Sequence, residues 1–231
     1  MKIINAPSLA NCNLLDLGED VRQLVEGGAP WFHVDLMDGH YVPNLCFPLR
    51  VVGDLKSRYP QVEIDVHLMT TDPMSWLPRL QEQGADWVSF HLDSTNFSRR
   101  VLTTIRSLGM KAGIILNPSQ RVDALEPLLD FVDYVVLMAV EPGYAGQQFM
   151  PETIGRLAEL TELRRKYNKD FLISIDGAIT KPAAVECAKL GAEVYVTGVF
   201  TVFRQAEPLP EACRLFEKML CDAVGQQTVN G

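Results

Sequence analysis

Nowhere in the 231 residues do the roughly 18 consecutive apolar residues of a membrane span occur together. Positive charge is scarce as well: 21 Lys and Arg against 29 Asp and Glu leave a formal charge of −8, which opposes binding to nucleic-acid backbones or anionic lipid. A small anionic substrate held by local donors stays open. The five cysteines (Cys12, Cys46, Cys187, Cys213 and Cys221) form no C-x-x-C pair and sit mostly beside apolar residues, so buried thiols are expected rather than a disulfide framework. Met1 to Pro7 contains no apolar run of signal-peptide length. These absences lead to the expectation of a cytoplasmic enzyme with no nucleic-acid or membrane partner.

What is present is a regular alternation. With 47% hydrophobic and 22% charged residues, the chain can bury a sizeable core. Short apolar runs alternate with longer amphipathic stretches, the pattern of repeated β-α units. Strands are expected at 3–7, 31–37, 63–68, 87–91, 112–116, 134–140, 171–175 and 194–197. Gly28, Gly84, Gly109 and Gly191 stand where a helix should end before the next strand. Uninterrupted β-α units favour a single (β/α)8 barrel over an open doubly wound sheet. The first strand-to-helix turn, Ser8-Leu9-Ala10-Asn11-Cys12-Asn13, also has no dinucleotide glycine fingerprint. The barrel is expected to span residues 1–225, with 226–231 as a frayed tail. The last helix should bury Ala212, Leu215, Phe216, Met219 and Leu220.

Ionisable residues collect at strand ends. The period of two puts His33, Asp35 and Met37 on one face of the second strand and Asp65, His67 and Met69 on one face of the third, while Asp176 closes the seventh. Barrel interiors are apolar, so ionisable groups there need a purpose or a partner. Two imidazoles and two carboxylates, His33, Asp35, His67 and Asp176, suit one divalent cation such as Zn, Mn, Fe or Co, with Mg also open. The alternative is that each is an ordinary hydrogen-bonded residue at the barrel mouth. His91 is read either as a substrate-orienting group or as a satisfied core histidine, and His40 as solvated. Gly143 and Gly146 after strand six, Gly177-Ala178 after strand seven and Gly198 after strand eight lie where barrels of this kind bind phosphate through backbone N–H groups.

The segments His33-Val34-Asp35-Leu36-Met37-Asp38-Gly39-His40-Tyr41-Val42-Pro43-Asn44, Asp65-Val66-His67-Leu68-Met69, Pro-Gly-x-x-Gly-Gln at 142–147 and Ile175-Asp176-Gly177 together resemble the ribulose-phosphate 3-epimerase family, in the family's order and over nearly the whole chain. The resemblance implies a TIM-barrel isomerase of carbohydrate metabolism, acting on a phosphorylated ketose. It implies a metal held by His33, Asp35, His67 and Asp176, with Asp35 and Asp176 also acting as the acid-base pair. It further implies substrate contacts from Ser8, Met37, His67, Met69, Met138, Gly143, Gly146, Gly177, Ala178, Gly198 and Val199. A homo-oligomer is the expected assembly.

The chain departs from the common family pattern at the phosphate end. Ser8-Leu9-Ala10-Asn11-Cys12-Asn13-Leu14 stands for the usual Ser-Ile-Leu-Ser-Ala-Asp-Phe, Asp176-Gly177-Ala178 for Asp-Gly-Gly, and Gly198-Val199 for Gly-Ser. Thr201 is the candidate to restore the missing hydroxyl. The altered first turn and the segment 140–146 resemble more closely the allulose-6-phosphate 3-epimerases of the same family, so a six-carbon substrate is expected beside ribulose 5-phosphate. Two other functions use the same residues: a metal-dependent hydrolase and a non-catalytic sugar-phosphate-binding protein. A decarboxylase of the D-x-K-x-x-D kind is disfavoured by Met37 in the lysine's place. A Schiff-base aldolase is disfavoured because Lys111 opens its strand at the wrong end of the barrel.

Overall fold

The computed structural model describes residues 2–229, with side chains through Gly225. Among them are eight parallel strands: β1 Ile4–Pro7, β2 Trp31–Met37, β3 Glu63–Met69, β4 Trp87–His91, β5 Lys111–Leu116, β6 Tyr134–Met138, β7 Leu172–Asp176 and β8 Val194–Thr197. The sheet order is β1-β8-β7-β6-β5-β4-β3-β2. A single bridge from Ser8 to His33 crosses the remaining seam between β1 and β2, giving a single (β/α)8 barrel. The helices are α1 Leu17–Glu26, α2 Arg50–Arg58, α3 Leu77–Glu82, α4 Ser98–Ser107, α5 Glu152–Lys166, α6 Lys181–Lys189 and α7 Leu209–Val229. Between β5 and β6 the expected helix is replaced by a 3-10 segment, Val122–Leu128. Pro127 lacks the N–H that an α-helix would direct to Asp123.

Period-two alternation sorts the strand residues between two cores. Phe32, Val34 and Leu36 of β2 and Ile64, Val66 and Leu68 of β3 face outward and are buried under the helices. The lumen is filled by Ile4, Ala6, Trp31 and Val194 in one group and Ile115, Tyr134, Val136 and Met138 in another. On α7, Ala212, Phe216 and Leu220 are buried at four-residue spacing, whereas Leu215, expected in the core, is 42% exposed. The backbone of α7 is helical to Val229, and residues 230–231 of the expected tail lie outside the described residues. All five thiols are free; Cys12, Cys187 and Cys213 are buried as expected, but Cys221 is exposed. None of the described helices is long and apolar enough to cross a membrane.

The lower rim repeats one device. The helices α1, α3, α4, α5 and α6 end in a Schellman turn, with a residue of positive φ at Gly28, Gly84, Gly109, Asn168 and Gly191. The next N–H reaches back five residues in each case, as from Ala29 to Leu24 (3.1 Å) and Ala192 to Cys187 (3.1 Å). Just ahead of the alternate strands β4, β6 and β8 stands a carboxylate that reaches across to the preceding strand. Asp86 accepts from Ile64 N (2.8 Å), Asp133 from Ala112 N (2.8 Å) and Glu193 from Ile173 N (2.9 Å). Each is also paired with a helix cation, Lys56, Arg106 and Arg164 respectively. This rim ties strands to helices, and the opposite rim is left free for chemistry.

Candidate active site

At the C-terminal mouth lies a cavity of about 260 Å³ lined by loops after β1, β2, β6, β7 and β8. Asp35, His67 and Asp176 face it from below, and Ser8, Met37, Met69, Met138, Gly143, Gly146, Gly177, Ala178, Gly198 and Val199 line it. His33 sits directly beneath and is 1% exposed. Asn44, Cys46, Gln147 and Phe200 also line the cavity and were not singled out from sequence. Asn44 and Gln147 belong to the motifs at 33–44 and 142–147, and the Asn44 amide donates to Gly143 O at 2.9 Å, tying the β2 loop to the β6 loop.

His33 Nε2, His67 Nδ1 and one oxygen each of Asp35 and Asp176 converge, all within 4.8 Å of one another. His33 Nε2 is 3.4 Å from Asp35 Oδ1 and 3.5 Å from Asp176 Oδ2, while His67 Nδ1 is 3.4 and 3.2 Å from the same two oxygens. Charge-assisted N–H···O bonds are shorter, about 2.7–2.9 Å. Donors sharing a tetrahedral centre at ~2.1 Å stand about 3.4 Å apart. Both imidazole nitrogens are buried and without a hydrogen-bond partner. The four residues therefore fit one divalent cation.

The electrostatics agree with that fit. Burial opposes a charged His33, but Asp35 and Asp65 outweigh it and hold its pKa well above the ordinary value. His67 is raised against burial by Asp176 and Asp35. Asp35 is held below the carboxylate range, because His33 and His67 outweigh its burial. Left to itself, the protein would bring in protons to balance these carboxylates; a divalent cation supplies the same positive charge. Ser8 Oγ donates to the outer oxygen of Asp35 at 2.9 Å, which fixes the carboxylate's rotation.

His91 does not line the cavity. It is fully buried, and its Nε2 lies 2.8 Å from His67 Nε2. Burial and the neighbouring His67 hold its pKa well below the ordinary value, so it backs His67 as a neutral ring. His40 is exposed, as expected.

No Lys or Arg lines the cavity. The backbone N–H groups of Gly177, Ala178, Val199 and Phe200 have no protein acceptor among the described residues. Gly177 (φ +112°) and Ala178 (φ +47°) both have positive φ, so the chain turns sharply where it lines the cavity. Thr201 is not the missing phosphate donor. It is fully buried, and its Oγ1 accepts from Gly198 N at 3.0 Å, occupying that N–H internally. Asn13 also lies outside the cavity; its N–H donates to Asp20 of α1 and its Oδ1 accepts from Leu15 N. Asn11 lines it beside Gly198.

Solved structures of similar fold include 3-hexulose-6-phosphate synthase from Salmonella typhimurium, with a TM-score of 0.69 at 17% identity over 96% of this chain and 100% of that one. Another is 3-keto-L-gulonate-6-phosphate decarboxylase from Vibrio cholerae, with a TM-score of 0.70 at 12% identity over 98% and 99%. Both speak for the barrel alone. Sequence likeness is much stronger to ribulose-phosphate 3-epimerases. That of Aquifex aeolicus is 38% identical over 198 residues, covering 86% of this chain and 88% of that protein. That of Bacillus subtilis is 34% identical over 194 residues, covering 84% and 89%. Residues 4–203 match the family model described as the ribulose-phosphate 3 epimerase family. With the fold, the motifs and these relatives in agreement, the chain belongs to the ribulose-phosphate 3-epimerase family.

Proposed function

We propose that the chain catalyses metal-dependent 3-epimerisation of a phosphorylated ketose, with His33, Asp35, His67 and Asp176 as ligands and Asp35 and Asp176 as the acid-base pair. One observation carries the reading: two partnerless imidazole nitrogens and two carboxylates meet at the floor of a cavity that is also lined by residues with free backbone N–H groups. The C3 proton of a ketose is too weakly acidic to leave unless the developing enediolate is stabilised. A divalent cation supplies that stabilisation when bound. Asp35 and Asp176 arrive from β2 and β7, on different sides of the mouth. One removes the proton from C3, and the other returns a proton to the opposite face. Met37, Met69 and Met138 give the reacting carbon a wall without acidic hydrogens. The amides of Gly177, Ala178, Val199 and Phe200 hold the phosphate.

Six-carbon ketose phosphates are proposed to react at least as well as ribulose 5-phosphate. Two features at the phosphate end support this: Asn11 in place of the usual serine, and the Gly198 N–H withdrawn by Thr201. The test is epimerisation of ribulose 5-phosphate and allulose 6-phosphate in parallel in deuterated water, with C3 exchange followed by NMR. Exchange with inversion is expected for both. No exchange for either would return the site to a hydrolase or a sugar-phosphate-binding protein. A preference of ~100-fold or more for ribulose 5-phosphate, about 2.7 kcal/mol in the transition state, would reverse the order of the two substrates.

A further inference from the structure

We infer that Asp65 and Tyr134, deep in the barrel, are positioning residues that hold the His33 ring with its Nε2 lone pair aimed between Asp35 and Asp176. The inference rests on the metal reading above. Asp65 projects into the lumen from the middle of β3 and is 1% exposed. Its side-chain partners are His33 Nδ1 at 2.7 Å and the Tyr134 hydroxyl at 2.6 Å. Neither Lys nor Arg pairs with it among the described residues. A carboxylate in such a place is costly to bury, and the lumen cluster that holds its partner Tyr134 includes aliphatic Ile115 and Val136. Its presence therefore needs a reason beyond filling space.

The reason is directional. An ionised carboxylate only accepts hydrogen bonds, so Asp65 Oδ2 requires the hydrogen of His33 to be on Nδ1. That leaves Nε2 as the nitrogen that can give its lone pair to a cation, and Nε2 is the atom without a partner that faces Asp35 and Asp176. Tyr134 donates to the second oxygen and stops the carboxylate from turning. The phenol itself is held in place by its neighbours. A Cβ at Gly113 would lie 2.2 Å from its ring, so only glycine at that position of β5 admits it, and the Trp87 ring packs edge-on at 5.3 Å. The relay Tyr134, Asp65, His33 thus reaches from β6 across the lumen to the metal site.

Asp65→Asn tests this, because the amide keeps the shape and can bond both neighbours while losing the charge. The purified protein is stripped of metal, checked for folding by circular dichroism, and melted. Zn(II) affinity is then measured by chelator competition, and the visible spectrum of the Co(II) form is recorded. The expected result is a 10- to 100-fold loss of Zn(II) affinity and an altered Co(II) spectrum, with the metal-free protein melting no lower than wild type. Tyr134→Phe should shift affinity in the same direction by less. Zn(II) affinity of Asp65→Asn within about threefold of wild type would overturn the inference, and a lowered melting point with that unchanged affinity would assign Asp65 to the fold instead. His67→Ala separates the two readings. If it also leaves affinity unchanged, the metal site itself is wrong; if it abolishes binding while Asp65→Asn does not, only the positioning role fails.

Discussion

The Nε2 atoms of His67 and His91 lie 2.8 Å apart, so one hydrogen serves two nitrogens. With that hydrogen on His67, the His67 Nδ1 lone pair faces Asp35 and Asp176, and His91 Nε2 accepts. His91→Ala removes this support without removing a ligand. The expected outcome is a loss of divalent-metal affinity of about tenfold, against ~100-fold or more for His67→Ala, measured by chelator competition. Equal losses would place His91 in the ligand shell.

Asp35 and Asp176 are separable by proton exchange. Asp→Asn at either position should abolish net epimerisation, because inversion needs a group on each face. With one carboxylate left, the variant should still exchange the C3 hydrogen of one epimer with deuterated solvent. The two variants should choose opposite epimers, provided that each is shown to bind metal. If both metal-loaded variants exchange the same epimer, the two-base mechanism is wrong.

Ala178 carries a left-handed backbone, φ +47°, which costs an L side chain about 1 kcal/mol. Ala178→Gly should relieve that strain and raise the denaturation midpoint by an amount equivalent to roughly 0.5–1 kcal/mol, less what glycine gains in unfolded-state entropy. The neighbouring change Gly177→Ala should do the reverse, since its Cβ would meet Val140 Cγ2 at 2.5 Å with φ at +112°. Equal effects at the two positions would contradict this assignment of backbone strain.

Asp38 pins the β2 loop. Burial opposes its charge, but the N–H groups of Thr71, Tyr41 and His40 outweigh that and hold its pKa at about 2, with contacts of 2.7 to 2.8 Å. A folded pKa below the unfolded value of about 3.9 favours the charged, folded state. Its contribution is therefore full above about pH 4 and is lost as the pH falls to about 2. Asp38→Asn should cost about 1–2 kcal/mol in urea denaturation at pH 7 and almost nothing near pH 2. A cost independent of pH would show that the carboxylate charge is not what holds the loop.

Local pattern carried much of this architecture. Alternation placed all the strands to within one or two residues at either end, and glycine at 28, 84, 109 and 191 marked helix ends that the structure shows as left-handed turns. Both are legible because period and backbone freedom are properties of neighbouring residues. The 3-10 segment at 122–128 was missed because one proline inside an otherwise amphipathic stretch decides it. Leu215 was misplaced because one step around a helix separates its buried face from solvent.

For the site, strand parity together with position near strand ends nominated His33, Asp35, His67 and Asp176, since residues two apart on a strand must share a face. What it left undetermined was where those faces meet. That His33 Nε2 rather than Nδ1 turns to the carboxylates depends on Asp65 and on Tyr134, which lies 69 residues beyond Asp65 in the chain. That Thr201 withdraws the Gly198 N–H instead of offering a hydroxyl depends on how the β8 turn closes. Hydrogen-bond direction and the emptiness of a donor are set by atoms that only closure of the barrel brings within reach, so these were decided by the tertiary structure alone.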